Sequence, residues 1–177
     1  MNIVDATIIE SQDATRSAFN MYAAIDWFNA HPEYCFRMAQ FLSTNNVMFL
    51  DPSLSRSVFD VISLRTLEEC ITRTLRTSTH PLHIATFQSY RRNVNTHTKS
   101  CFDMYCRHHI VRLKMKTLDS SSSSNGPVLQ ELDTSVAQLN LIRWLMTYGN
   151  VCVKLAFEIS KRKKCNTTKP SLKKKHL

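Results

Sequence analysis

Histidine and cysteine side chains are concentrated in the middle of the sequence, between residues 80 and 109. On a helix, His97 and Cys101 would lie one turn apart, and His108 would lie two turns beyond Cys101 on the same face. Tetrahedral Zn²⁺ accepts such a mixed set, with His83 of a neighbouring segment as the fourth ligand. The alternative is a core thiol with surface imidazoles, because no pair shows the compact Cys-x-x-Cys spacing of zinc motifs. These four residues are only candidate metal ligands, and we expect no cofactor.

A catalytic constellation is missing from the sequence. Cysteine and histidine occur, but no sequence context marks one of them as a nucleophile. The one pair of neighbouring carboxylates, Glu68 and Glu69, would diverge on a helix because the two residues are adjacent. With only Gly126 and Gly149 present, glycine-rich phosphate loops are excluded. The sequence therefore predicts a protein that is not an enzyme.

Arginines and aromatic residues are interleaved in a segment that contains few acids. No Asp or Glu occurs between Cys70 and Phe102, and rings such as Phe87 and Tyr90 lie among the cations. Single-stranded nucleic acids stack their bases on aromatic rings beside arginines, although aromatic residues at helical spacing are also typical of a core. We expect a nucleic-acid contact, with RNA favoured over DNA. The candidate contact residues are Arg91, Arg92, Arg107, Arg112, Lys114 and Lys116.

The end of the chain is strongly basic. Residues 161–177 carry eight lysines and arginines and no acid. They therefore account for eight of the nine formal net positive charges of the chain. A run of like charges repels itself, stays disordered and suits polyanions. Such clusters are also typical of nuclear import signals, so we expect the protein in both nucleus and cytoplasm. The alternative is a solubilising tail that complements the dipole of the last helix. The two clusters are Lys161, Arg162, Lys163 and Lys164, followed by Lys173, Lys174 and Lys175.

The elements that must position these residues are predicted to be helices. Apolar residues recur at three- and four-residue steps in residues 13–29, 58–75, 81–90 and 98–115. The scarcity of glycine argues against tight hairpins. From Val128 to Ser160 the pattern predicts the longest helix of the chain. That segment is apolar on almost all sides, which is typical of a helix buried in a core.

A transmembrane interpretation of this long helix is disfavoured. Arg143 and Lys154 lie within it, and each would cost about 2.5–3.5 kcal/mol near the centre of a bilayer. We therefore expect no integral membrane span. The N-terminus also lacks the basic and apolar regions of a signal peptide, so the six cysteines are expected to be free thiols.

One short run within the long helix resembles a known family. Residues 144–152, Trp-Leu-Met-Thr-Tyr-Gly-Asn-Val-Cys, resemble the first homology region of Bcl-2-like proteins, a buried helix with an aromatic–Gly step. The run lacks the Asn-Trp-Gly start of that region. The resemblance implies a helical protein whose groove binds partner helices.

Together these patterns predict an all-α fold. Residues 1–160 would form a single helical-bundle domain with a flexible Ser-rich loop at about 118–127, and residues 161–177 would form a disordered basic tail. The expected function is that of a non-enzymatic accessory or regulatory protein that contacts nucleic acid. Abundant Cys and Met with scarce Gly suit a virus-encoded protein, such as a suppressor of host defence. The alternative is a helical protein-interaction module, an assembly factor or Bcl-2-like cell-death regulator, whose tail serves only localisation.

Overall fold

Helices and a small sheet together build the protein. The computed structural model describes residues 1–10, 14–51, 53–54, 61–97, 99–103, 105–106, 108–116 and 129–167. In that part of the chain there are six α-helices and a three-stranded antiparallel sheet, so the predicted all-α fold is wrong. The elements in chain order are β1 (Asn2–Glu10), α1 (Ala14–Ala30), α2 (Pro32–Thr44), a 3-10 helix (Val47–Leu50), α3 (Leu64–Glu69), its continuation as a π-helix (Cys70–Leu75), α4 (Pro81–His97), a 3-10 turn (Lys99–Cys101), β2 (Ile110–Lys116), β3 (Leu129–Ser135), α5 (Val136–Thr147) and α6 (Asn150–Thr167).

The sheet has β2 at its centre, antiparallel to β1 on one side and to β3 on the other. Val111, Leu113 and Met115 are fully buried, and the residues between them point to the opposite face. This alternation has the two-residue period of a strand with one buried face. The predicted helix over 98–115 is therefore wrong for its last part, because pairing with β1 and β3 makes the alternation of cations with Leu113 and Met115 that of a strand.

The predicted helix from Val128 to Ser160 is also wrong, because that segment forms β3, α5 and α6. Ser135 starts α5 as its N-cap, and its Oγ accepts a hydrogen bond from the Gln138 amide at 3.1 Å. Gly149 separates α5 from α6, so the Bcl-2-like run spans a helix break rather than one continuous helix. α5 itself is buried on almost all sides, as its all-round apolar sequence predicts.

The basic end of the chain begins inside a helix. α6 continues to Thr167, beyond the predicted boundary at residue 160, so the expected disorder is wrong for residues 161–167. Residues 168–177 and the predicted Ser-rich loop at 118–127 lie outside the described part of the chain. No helix among the described residues is long and apolar enough to cross a membrane.

The helix α4 differs from the other long helices because it lies at the periphery. It packs mainly against the π-helix and the 3-10 turn. Only Thr86 is buried in α4, whereas ten of the twelve residues of α5 beside it are buried. A helix held along one side leaves both of its flanks open, and the cavities considered next lie there.

Candidate functional site

The first cavity lies between α4 and the π-helix, and we call it the Tyr90 cleft. It has a volume of about 630 Å³. Its lining residues are Thr72, Arg76, Phe87, Tyr90, Arg91, Val94, Asn95, Phe102 and Asp103. On α4 the contributing residues follow three- and four-residue steps, so they form one flank of the helix.

Aromatic rings form the rigid wall of the Tyr90 cleft. The Tyr90 ring lies nearly parallel to Phe87, with centroids 6.5 Å apart, and 5.8 Å from the buried Phe102. Behind it, Trp144 meets Tyr90 edge-on at 5.5 Å. Burial, with a smaller effect of nearby acids, raises the pKa of Tyr90, so its hydroxyl stays neutral near pH 7. Such a supported ring can accept a planar group by stacking.

Two arginines also line the Tyr90 cleft. Arg76 directly follows the π-helix, and Arg91 extends from α4. Both side chains are exposed. Asp103 is the single acid among the described lining residues, and its Oδ1 accepts a hydrogen bond from the Tyr105 amide at 2.9 Å. The cleft therefore combines a flat apolar surface with positive charge, which suits an anionic ligand that carries a planar ring.

The second cavity lies on the opposite flank of α4, and we call it the Tyr148 groove. Its outer part has a volume of about 480 Å³, and its inner part, joined through Asn93 and Tyr148, about 250 Å³. The outer part is lined by Leu82, Ala85, Thr86, Ser89, Arg92, Asn93 and Tyr148. The inner part adds Trp27, Arg143, Trp144 and Thr147.

The predicted nucleic-acid contacts that the structure describes are not on one surface. Arg91 and Arg92 lie on α4, one at the Tyr90 cleft and the other at the Tyr148 groove. Arg107 lies outside the described residues. The remaining three, Arg112, Lys114 and Lys116, lie on β2, which is not among the main packing partners of α4. Arg76 was not among the candidate contacts, although it belongs to the acid-free stretch that predicted them.

The cations of β2 have acidic partners on both neighbouring strands. Arg112 donates two hydrogen bonds to Asp133 on β3, Nε to Oδ1 at 2.8 Å and Nη2 to Oδ2 at 3.0 Å. Lys114 forms an ion pair with Asp5 on β1 at 3.4 Å. The hydrogen bond from Arg112 lowers the pKa of Asp133, which keeps that carboxylate charged. Two of the three cations on this face of β2 are thus balanced within the sheet.

The predicted zinc ligands are not brought together. His83 and His97 lie near opposite ends of α4, about 20 Å apart at the rise of an α-helix. The Nδ1 of His97 donates to Asn20 Oδ1 at 2.7 Å, and its ring stacks on Phe102. Cys101 is buried and His108 is exposed. Among the described residues, no group of three or more His, Cys, Asp or Glu side chains can hold a metal ion, so the zinc prediction is wrong.

The described part of the basic tail lies on the last turns of α6. Lys161, Arg162 and Lys163 are exposed there. Lys163 pairs with Glu69 of α3 at 2.6 Å, and the Nζ of Lys161 lies 4.1 Å from the centre of the Phe157 ring. The side chain of Lys164 and residues Lys173, Lys174 and Lys175 are outside the described part.

Comparisons of the chain with protein-family models, with curated protein sequences and with solved structures found no match.

Proposed function

We propose that the protein is a non-enzymatic accessory protein that binds single-stranded nucleic acid at the Tyr90 cleft, with RNA as the preferred ligand. The observation that carries this proposal is that Arg76 and Arg91 line the same cleft as the stacked rings of Phe87 and Tyr90. RNA is preferred because RNA recognition usually targets unpaired bases that can be splayed onto aromatic side chains.

Each part of the cleft has a role in this binding. Arg76 and Arg91 contact backbone phosphates, and such contacts release counterions from the nucleic acid. A base stacks on Tyr90, a contact that contributes about 1–3 kcal/mol per base in single-strand-binding proteins. Asp103 lies at the edge of the same cleft and accepts a hydrogen bond from an exocyclic amino group of the base.

The charge balance of the sheet supports a ligand at α4 rather than at β2. Arg112 and Lys114 are already paired with acids, so the exposed face of the sheet does not offer a continuous basic surface to a duplex. Arg91 and Arg92 form no ion pair with another described residue. A single strand can enter the concave cleft, whereas the bases of a duplex are stacked and unavailable to Tyr90.

The test measures binding of the full-length protein to labelled single- and double-stranded RNA and DNA across a salt series. Arg76→Glu and Arg91→Glu should each weaken binding to single-stranded RNA by about tenfold, since each removes a phosphate contact and adds repulsion. Lys154→Glu is the matched control, because Lys154 is an exposed cation on α6 that lines neither cavity. Equal binding by Arg91→Glu and Lys154→Glu would contradict the proposal.

The basic end of the chain has a supporting role in the proposal. Exposed cations such as Lys161 and Arg162 add affinity for any polyanion and direct the protein to the nucleus. Replacing the three lysines at 173–175 by glutamine should reduce the salt dependence of binding and the nuclear fraction of a fluorescently tagged protein. Binding at the cleft should persist in that variant, because the discrimination of single from double strands depends on Tyr90. Loss of this discrimination would assign the contact to the tail.

A protein-interaction module is the second candidate function. The observation that favours it is a group of exposed apolar side chains on α1 and β1, where Phe19 is 75%, Tyr22 57% and Val4 53% exposed. Apolar side chains grouped on one surface are typical of protein contact sites. If nucleic-acid binding is absent at low salt, Phe19→Ser tests this candidate by whether it reduces co-purification of a cellular protein.

A further inference from the structure

The Tyr148 groove repeats the chemistry of the Tyr90 cleft on the other flank of α4. Tyr148 follows α5 and is 64% exposed, which leaves its ring free to stack. Trp27 and Trp144 line the inner part of the groove. Trp144 is held in place because its Nε1 donates to Ser89 Oγ at 3.0 Å. The groove is thus lined by aromatic rings and open to solvent at Tyr148.

Two arginines supply positive charge along this groove. Arg92 is exposed on the outer part, and Arg143 is half-buried in the inner part. Arg143 donates to the Ala23 carbonyl oxygen at 3.1 Å, and among the described residues it forms no ion pair with a carboxylate. A half-buried cation without a carboxylate partner among the described residues is stabilised by an anion placed beside it.

Helix geometry relates the groove to the cleft. Consecutive residues of an α-helix are rotated by about 100°, so Arg91 and Arg92 point to the two sides of the exposed ridge of α4. The body of a helix is about 10 Å wide, so a strand that runs over α4 reaches both cavities with a few nucleotides. Its backbone would cross the ridge between the two guanidinium groups.

We infer that the Tyr148 groove binds a second nucleotide of the same single strand, which crosses α4 between Arg91 and Arg92. This inference rests on the proposed function of the Tyr90 cleft. It adds that the ligand is an oligonucleotide rather than a mononucleotide. A base stacks on Tyr148 at the groove, and the adjoining phosphate lies between Arg92 and Arg143.

Tryptophan fluorescence reports on this groove directly. The chain has two tryptophans, and both line the inner part of the groove. Trp144 is only 3% exposed, so a change in emission on binding should come mainly from Trp27. The experiment titrates the full-length protein with oligonucleotides of one to about 16 nucleotides, the size range of single-strand-binding sites. Anisotropy of labelled oligonucleotides measures affinity in parallel.

We expect mononucleotides to bind without quenching the tryptophan emission, and longer strands to quench it and to bind about tenfold more tightly. Tyr148→Ala should show neither the quenching nor the tighter binding of longer strands. It should keep the affinity of the unaltered protein for mononucleotides. Tyr22→Ala is the matched control, since Tyr22 is a similarly exposed tyrosine on α1. Both substituted residues are exposed, so circular dichroism should show an unchanged fold.

Two outcomes would overturn this inference but leave the proposed function of the Tyr90 cleft standing. One is that Tyr148→Ala keeps the length-dependent gain of the unaltered protein. The other is that long strands quench the tryptophan emission of Tyr148→Ala as strongly as that of the unaltered protein. If Arg91→Glu leaves the affinity for every length unchanged, the proposed function itself is wrong. The two proposals therefore fail in distinguishable ways.

Discussion

Arg91 and Arg92 are consecutive in the sequence, yet they lie at different cavities. The cause is the rotation of an α-helix, which turns neighbouring side chains about 100° apart. Two adjacent arginines on a helix therefore lie on different surfaces, so they do not both contact the same site. Arg92→Glu should accordingly weaken binding of long strands while it leaves mononucleotide binding close to that of the unaltered protein.

His97 makes the stability of the fold depend on pH. Burial, and secondarily the charge of Arg143, lowers the pKa of His97 below its ordinary value of 6.5. Below pH 6.5 the unfolded chain therefore takes up a proton more readily than the folded protein, and protonation favours unfolding. We expect the free energy of unfolding to fall as the pH decreases from 6.5 towards the lowered pKa.

Urea unfolding curves between pH 5 and pH 7.5 would measure this dependence, with His97→Gln as the comparison. The glutamine amide can still donate to Asn20 but does not titrate. The variant should lose less stability than the unaltered protein over this range. If the free energy of unfolding falls equally with pH in the variant and in the unaltered protein, groups other than His97 cause the dependence.

Gly149 is required by the close approach of α5 to the start of α6. A Cβ atom added there would lie 2.8 Å from the Trp144 ring and 2.9 Å from the Leu145 Cα. The Leu145 contact is with backbone and is not relieved by a rotamer change. We expect Gly149→Ala to lower the free energy of unfolding by about 1–3 kcal/mol, measured by urea denaturation. Lys154→Ala, an exposed change on α6, should leave the free energy of unfolding within about 0.5 kcal/mol of that of the unaltered protein.

At the scale of elements, β2 shows how strand pairing can neutralise a basic segment. Its cations lie between acids of β1 and β3, and the pair of Arg112 with Asp133 is the most complete, with two hydrogen bonds. We expect Arg112→Ala to leave the affinity for single-stranded RNA within about twofold of the unaltered value, since its charge is already balanced. Anisotropy titrations at several salt concentrations would check this. A loss as large as that of Arg91→Glu would place the sheet in the binding surface.

The helices α4 and α5 differ in how far they are buried. α5 is buried on almost every side and forms the support on which Trp144 is fixed, whereas α4 is held along one side only. Ser89 and Tyr90 of α4 contact the fixed Trp144, while the flanks of α4 stay open.

At the scale of the whole molecule, folding interleaves segments of opposite charge. Residues 1–60 and 117–160 are acidic overall and residues 61–116 are basic, and the sheet takes one strand from each. Asp5 of β1 and Asp133 of β3 pair with Lys114 and Arg112 of β2. Under the proposed function, this pairing would leave the arginines of the Tyr90 cleft, rather than those of the sheet, to attract a polyanion.

The core also determines which thiols react. The five cysteines whose side chains the structure describes are free, and four of them are buried. Burial raises the pKa of Cys35 to about 11 and that of Cys70 to about 12. Since the thiolate is the reactive form, both should resist a maleimide at pH 8 in the native protein and react after unfolding. Mass spectrometry of labelled peptides measures this, with the half-buried Cys106 as the internal reference. Equal labelling of Cys35 and Cys106 would contradict the buried positions.

Several features were predictable from the sequence because they are encoded within a few residues. The three- and four-residue periods predicted α1 and the start of α4, and the all-round apolar composition predicted a buried α5. The acid-free stretch also contains Arg76 and Arg91, the two cations that meet at the Tyr90 cleft. Even the strand β2 was encoded locally, in the alternation of Val111, Leu113 and Met115 with cations.

The tertiary structure alone decided which cations are available to a ligand. Arg112 meets Asp133 only because the register of two strands places residues 21 positions apart side by side. Arg91 and Arg76 line one cleft because α4 packs against the π-helix, and His83 and His97 are separated because they lie near opposite ends of the continuous helix α4. Periodicity acts over one or two turns of the chain, whereas strand register and helix packing are set by the core as a whole. The sequence therefore determined where the cations lie along the chain, and the fold decided which of them pair with acids and which line a cleft.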